Sequence, residues 1–363
     1  MTGVSYTHSK QELMMKAYAY TGASKPLSLR ELPTPRPSAH QVLVRTRFCG
    51  VCHSDVHLHE GKFDLGEGQS LDLPFTDGTI FGHEIYGEVA DIGESVSGVR
   101  RGDMVIVYPW VGCGNCALCN SGREHICPSG LMIGGGVNAG GFGDHVLVPH
   151  ERYLADAAGI APEQAGSLAC SGLTSFSAIK LIPALGPHSK VVLIGIGGLG
   201  MMGLGILRSV HGVAPIVVDV DDGKLAAASA AGAGAVVNAR APDALAKLLE
   251  LTGGGADDAI DFVGSEHTAP LGFHALKTGG KLVMVGLFGG TLKLPLALIA
   301  MQVKTIEGSN VGSLANFQEL VALARAGKVP PIPVNVRPAH QANEVIDDLR
   351  HGRVLGRTVL QHE

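Results

Sequence analysis

With 363 residues, 45% hydrophobic and 17% charged, the chain is long enough for two cores and too apolar for a disordered protein. A net charge of −5 and the lack of any Lys or Arg run exclude a nucleic-acid surface. Seven cysteines, an odd number with Cys-x-x-Cys spacing, suit a metal better than a disulfide framework. The first ten residues carry no apolar core of a secretory signal, so a reducing cytoplasm is expected.

In chain order, residues 1–14 read as a polar extension. From Met15 to about Gly166 the chain is rich in short β-like runs broken by Gly and Pro, such as Val42–Thr46, Tyr86–Ala90 and Met104–Val107. Apolar strands then alternate with helices. Lys190–Gly195, Ile216–Asp219, Ala235–Asn238, Ala259–Val263 and Lys281–Gly286 read as buried parallel strands. Lys224–Ala231, Asp243–Leu251 and His267–Leu276 read as the helices between them, giving a doubly wound α/β sheet. The last part opens on a helix (Ala315–Ala326), passes an extended Pro330–Pro333 and ends on a strand at Arg357–Leu360. Its texture predicts a return to the first domain. The expected division is 15–170 with 310–363, and 171–309. Val191 to Leu207 approaches the length of a membrane span, but its six glycines gather at a turn, so no span is predicted.

That turn is Gly195-Ile196-Gly197-Gly198-Leu199-Gly200, a G-x-G-x-x-G after a strand and before a helix. Asp219 closes the next strand, nineteen residues beyond Gly200. Gly195 makes the turn, Gly197 admits a pyrophosphate, and Gly200 lets the helix pack closely. The helix N-terminus offers free N–H groups to phosphate. Asp219 would accept the adenosine ribose hydroxyls and repel a 2′-phosphate, which favours NAD over NADP. Lys224 is placed to approach the same ribose.

Cys113, Cys116, Cys119 and Cys127 form a C-x2-C-x2-C-x7-C group in a polar loop with little to bury, the pattern of a closed structural zinc site. The other candidates lie far apart: Cys52-His53-Ser54-Asp55-Val56-His57, then His83-Glu84 after a tight Gly82, then Cys170. Two thiolates and one imidazole would leave a fourth zinc position open.

Together and in this order, these motifs resemble those of the zinc-dependent alcohol dehydrogenases of the medium-chain dehydrogenase/reductase family, from about Met15 to the C-terminus. The resemblance implies a GroES-like β-rich catalytic domain split around a Rossmann domain. It implies Cys52, His83 and Cys170 as catalytic zinc ligands, Glu84 as a carboxylate behind the metal, and Asp55 as the group orienting the histidine. Ser54 and His57 match a proton relay, His53 and Arg357 match pyrophosphate contacts, and Thr174 matches a position beside the nicotinamide. Two zinc ions per chain, NAD and a small alcohol, aldehyde or ketone follow. The short stretch between Cys127 and Gly141 resembles the bacterial and yeast type, usually tetrameric. A polyol dehydrogenase is the nearest alternative within this fold. A non-catalytic zinc and nucleotide binder would need neither Ser54 and His57 nor an open metal position.

Other residues carry plainer readings. Cys49 is expected to be a buried thiol, and Met201 and Met202 to fill core space. His59, two residues from His57, reads as one face of a strand or loop. Trp110 either lines the cleft or packs the domain. The extra sequence between Gly61 and Gly82 is expected near the cleft entrance.

Overall fold

The computed structural model describes residues 13–135 and 139–363. Most of the expected polar extension, residues 1–14, lies outside the described residues. Met14, however, already opens the strand Met14–Ala19, which pairs antiparallel with Ser28–Pro33.

The β-rich part is built on a seven-stranded sheet. Its central strand, Val42–Val51, is ten residues long, and its β-branched and apolar side chains are buried at both ends. Glu84–Ile92 pairs antiparallel on one side and Arg357–Gln361 on the other, with Val334–Pro338 beyond. The C-terminal segment therefore returns to the first sheet.

Two registers in this sheet position chemistry. Gly50 lies opposite Glu84, and Val51 lies opposite Thr358. Because both pairings are antiparallel, Cys52, His83 and Arg357 all fall at the same end of three adjacent strands.

The second sheet has six parallel strands in the order Ala235–Asn238, Ile216–Asp219, Val191–Ile194, Ala256–Asp261, Leu276–Met284 and Thr305–Gly308. All four residues of Val191–Ile194 are buried, as a central parallel strand covered on both faces requires. The order reverses at this strand, which opens a crevice at its carboxyl end where the glycine-rich turn begins. The helix expected over His267–Leu276 spans Thr268–Ala275 instead. Leu276 already starts the next strand, paired with Ala256.

Helix Ser171–Lys180 joins the two parts. It packs against helix Gly198–His211, and the Ser175 hydroxyl donates to the Leu199 carbonyl at 2.8 Å. Among the described residues, no helix is long and apolar enough to cross a membrane.

Candidate active site

Cys52 caps the N-terminus of helix His53–Glu60, and Asp55 completes a capping box by accepting the Cys52 N–H at 2.9 Å. Gly61 ends the helix in the left-handed conformation (φ 73°). These caps place His53, Ser54, Asp55 and His57 on a helix of just over two turns.

His59 is corrected by the same element: it sits on this helix, not on a strand or loop face. Eight capped residues are too few for helical periodicity to stand out against a two-residue alternation. The His59 ring is buried, donates from Nε2 to the Lys25 carbonyl at 2.7 Å and accepts from Arg350 at 3.1 Å. It ties the helix to the C-terminal segment and is far from being a free ligand.

The first cluster of donor groups is fully inside the protein. One ligand atom each from Cys52, His83, Glu84 and Cys170 lies within 4.8 Å of all the others. His83 turns Nε2 toward Cys52 Sγ at 3.2 Å and Nδ1 toward Asp55 Oδ1 at 3.4 Å. Asp55 is thus bound on both sides, which fixes the orientation of the ring. A hydrogen bond from Cys170 holds the Cys52 thiol well below the usual range, against burial and with help from His83 and Arg357. The same bond, with burial, pushes Cys170 well above it. Two sulfurs, an imidazole and a carboxylate converging in the interior are a donor set that a divalent metal fits.

Glu84 stands behind this cluster. Burial pushes its carboxyl up to about 7, against the pull of Arg357, whose Nη2 is 3.2 Å from Oε1. Glu84 can occupy this place because residue 50 is glycine: a Cβ there would collide with Glu84 Oε2.

Arg357 connects the cluster to the glycine-rich turn. It is 3% exposed and donates to the Val51 carbonyl at 3.1 Å, and its guanidinium carbon would lie 3.0 Å from a Cβ on Gly198. The pyrophosphate contact expected of it and the ion pair with Glu84 therefore involve one side chain. That second contact was not part of the sequence expectation.

In the turn itself Gly195 has φ 87°, and a Cβ on Gly200 would strike the Gly195 carbonyl. Nothing lies within 4 Å of where a Gly197 Cβ would be, so the space expected for a pyrophosphate is open. Asp219 accepts N–H groups from Ile196 and Val220, both at 2.8 Å, and from Asp221 at 3.1 Å, holding it at the crevice edge. Lys224 lies in the first turn of helix Asp222–Ala230. Thr174 is one turn past Cys170. Its buried hydroxyl oxygen has no hydrogen-bond partner among the described residues, which suits a site that a ligand completes.

The second cysteine cluster is a separate lobe. Sulfur separations of 3.5 Å (Cys116–Cys119), 3.7 Å (Cys116–Cys127) and 3.9 Å (Cys113–Cys119) match the ~3.8 Å edge of a tetrahedron with Zn–S of about 2.3 Å. The Asn115 backbone lowers Cys113 to about 6, while burial raises Cys119 to about 11. Within residues 113–127 only Glu124 is buried, and Arg152 pairs with it at 2.6 Å. The lobe has almost no core of its own.

Trp110 lines the first cluster: its ring is 5.6 Å from that of His83, and its indole N–H donates to the Ala169 carbonyl at 3.1 Å. Cys49, Met201 and Met202 are buried as expected. The extra sequence after Gly61 forms a hairpin, Lys62–Gly66 with Gln69–Asp72, that reaches the loop at Gly289 and Gly290. Sequence reasoning missed Phe63 and Phe288, which carry no motif.

A buried metal-type donor cluster, joined to a nucleotide crevice by one helix and one arginine, defines a two-domain zinc-binding dehydrogenase. Residues 38–157 match the alcohol dehydrogenase GroES-like domain, and residues 198–326 match the zinc-binding dehydrogenase domain. The NAD-dependent alcohol dehydrogenase of Sulfurisphaera tokodaii is 40% identical over 351 residues, 95% of this chain and 99% of that protein. That of Saccharolobus solfataricus is 38% identical, over 95% and 99%. The crystal structure of the Aeropyrum pernix alcohol dehydrogenase superimposes with a TM-score of 0.84 at 32% identity, covering 96% of this chain and 100% of that one. The chain belongs to the zinc-dependent alcohol dehydrogenases of the medium-chain dehydrogenase/reductase family.

Proposed function

We propose that this protein is an NAD-dependent, zinc-dependent alcohol dehydrogenase that interconverts an alcohol with its aldehyde or ketone. The observation that carries this reading is the convergence of Cys52, His83 and Cys170 beside Arg357, which also touches the glycine-rich turn. Zinc held by Cys52, His83 and Cys170 would polarise the substrate oxygen, and NAD in the crevice would exchange the hydride.

The remaining tasks fall to side chains. Asp55 keeps His83 in one orientation and one tautomer. Ser54 receives the alcohol proton and passes it toward His57 at the solvent side. Burial holds His57 below the ordinary histidine range despite Glu60 and Cys52, which keeps it neutral and able to accept a proton. The helix N-terminus at Gly198, with Arg357 and His53, binds the pyrophosphate. We divide the chain accordingly into a catalytic unit (15–170 with 310–363) and a nucleotide unit (171–309).

A panel of primary and secondary alcohols, assayed with NAD and with NADP, tests the reading directly. Ser54→Ala is expected to slow turnover by about 10²-fold or more while both zinc ions stay bound. Unchanged turnover would remove Ser54 from the proton path. Asp219→Asn loses the charge and one of the two acceptor oxygens that Asp219 turns to the Ile196 and the Val220 and Asp221 N–H groups, so the ratio of NADP to NAD use should rise by about tenfold. An unaltered ratio would show that Asp219 does not select the coenzyme.

We also propose a homotetramer. Edge strand Thr305–Gly308 leaves Ile306 exposed, and Leu296, Met301 and Val303 beside it are each more than 60% exposed, an apolar edge that a second copy can cover. Light scattering giving a monomer at micromolar concentration would refute it.

A further inference from the structure

Phe288 lies on the loop that follows strand Leu276–Met284, on the nucleotide side of the molecule, and its ring is half exposed. It nevertheless packs on two histidines of the catalytic side. Its ring centroid is 4.5 Å from that of His53 with the planes 26° apart, and 6.4 Å from that of His57 in an edge-on arrangement. Phe63, from the hairpin, covers His57 from a further direction at 5.0 Å, and His53 meets His57 edge to face at 5.3 Å.

The loop is held there by backbone packing. A Cβ on Gly66 would lie 2.6 Å from the Gly290 carbonyl carbon, and one on Gly289 would lie 2.5 Å from the Asp64 carbonyl oxygen. Both glycines of the loop have positive φ, so neither the hairpin nor the loop can accept side chains at this junction. The exposed pair Lys293–Glu67, at 3.6 Å, adds little.

We propose that Phe288 is a positioning residue for the proton exit: it holds the His57 imidazole, through direct packing and through His53, in the one rotamer that meets the relay. This rests on the reading that His57 carries the proton to solvent. A histidine near a helix end has several rotamers open to it, and proton transfer needs a ring nitrogen within hydrogen-bond reach. Aromatic packing on two flanks restricts the ring's freedom to turn. Because Phe288 comes from the nucleotide side, the proton path is complete only while the loop rests on the hairpin.

The test is a double-mutant cycle in the zinc-loaded enzyme with NAD, using ethanol and propan-2-ol, together with the histidine ring signals in NMR. Phe288→Ala is expected to lower kcat/KM about five- to tenfold, and Phe288→Tyr, which keeps the ring, to restore most of it. In a His57→Ala background the same Phe288→Ala change should cost less than about twofold. The His57 ring signals, identified by their absence in His57→Ala, should shift in Phe288→Ala. An equal loss in both backgrounds would overturn the proposal and make Phe288 a wall of the substrate or coenzyme site. No loss in the wild-type background, or unmoved His57 signals, would also overturn it. If His57→Ala alone leaves turnover unchanged, the relay reading falls and takes this proposal with it.

Discussion

Replacing His83 with alanine is expected to abolish alcohol oxidation and to remove one of two zinc ions from each chain. The ring is fully buried and sits between Cys52 Sγ and the Asp55 carboxylate. Without it, two sulfurs remain as donors and Asp55 loses its buried partner. Loss of the Lewis acid removes several kcal/mol of transition-state stabilisation, so kcat/KM should fall by at least about 10³-fold. Leaving the buried Asp55 with only the Cys52 N–H as partner should also cost about 3 kcal/mol of stability. Asp55→Asn is the graded control: it keeps the ligand and weakens its orientation, and metal affinity should fall about 10- to 100-fold. Elemental analysis and NADH absorbance read both variants. A His83→Ala enzyme with two zinc ions and normal turnover would place the catalytic metal elsewhere.

Cys116→Ser should have the opposite profile: one zinc is lost, the lobe opens, and the chemistry survives. Cys116 lies 3.5 Å from Cys119 Sγ and 3.7 Å from Cys127 Sγ, central to the cluster. With only Glu124 buried between 113 and 127, little else holds these residues together. Metal binding contributes about 10–16 kcal/mol to small zinc-folded units, far more than the Glu124–Arg152 pair can supply. Arg123 is exposed in this lobe, and trypsin should cleave after it much faster in the variant than in the parent. Turnover per remaining zinc should stay within about threefold at moderate temperature. Resistance to trypsin with two zinc ions still bound would show that Cys116 is not a ligand.

These two expectations differ in how readily their residues could be read. The lobe cysteines span fifteen residues, so loop geometry alone brings them together and the spacing announces a metal. The glycine-rich turn is equally local: Gly195, Gly197 and Gly200 act on a single strand–turn–helix, and Asp219 ends the neighbouring strand. Helix Thr268–Ala275 ended one residue earlier than expected because pairing of Leu276 with Ala256 overrides a local preference. His59 was read on the wrong element because a helix of eight residues is specified by its caps, Cys52 with Asp55 and Gly61, more than by periodicity.

The chain's residues by themselves determined the parts: two kinds of cysteine group, a dinucleotide turn, an alternating strand and helix region, and a terminal strand of the first type. Short-range steric and ligand-spacing rules suffice for these. Tertiary structure decided how the parts meet. Cys52 and Cys170 are 118 residues apart, and only the registers Gly50–Glu84 and Val51–Thr358 bring Cys52, His83 and Arg357 to one sheet end. Only the packing of helix Ser171–Lys180 on the glycine-rich helix links Cys170 to the nucleotide crevice. Phe288 over His53 and His57 is the extreme case, because contact between side chains on different domains depends on long-range packing that no local pattern encodes.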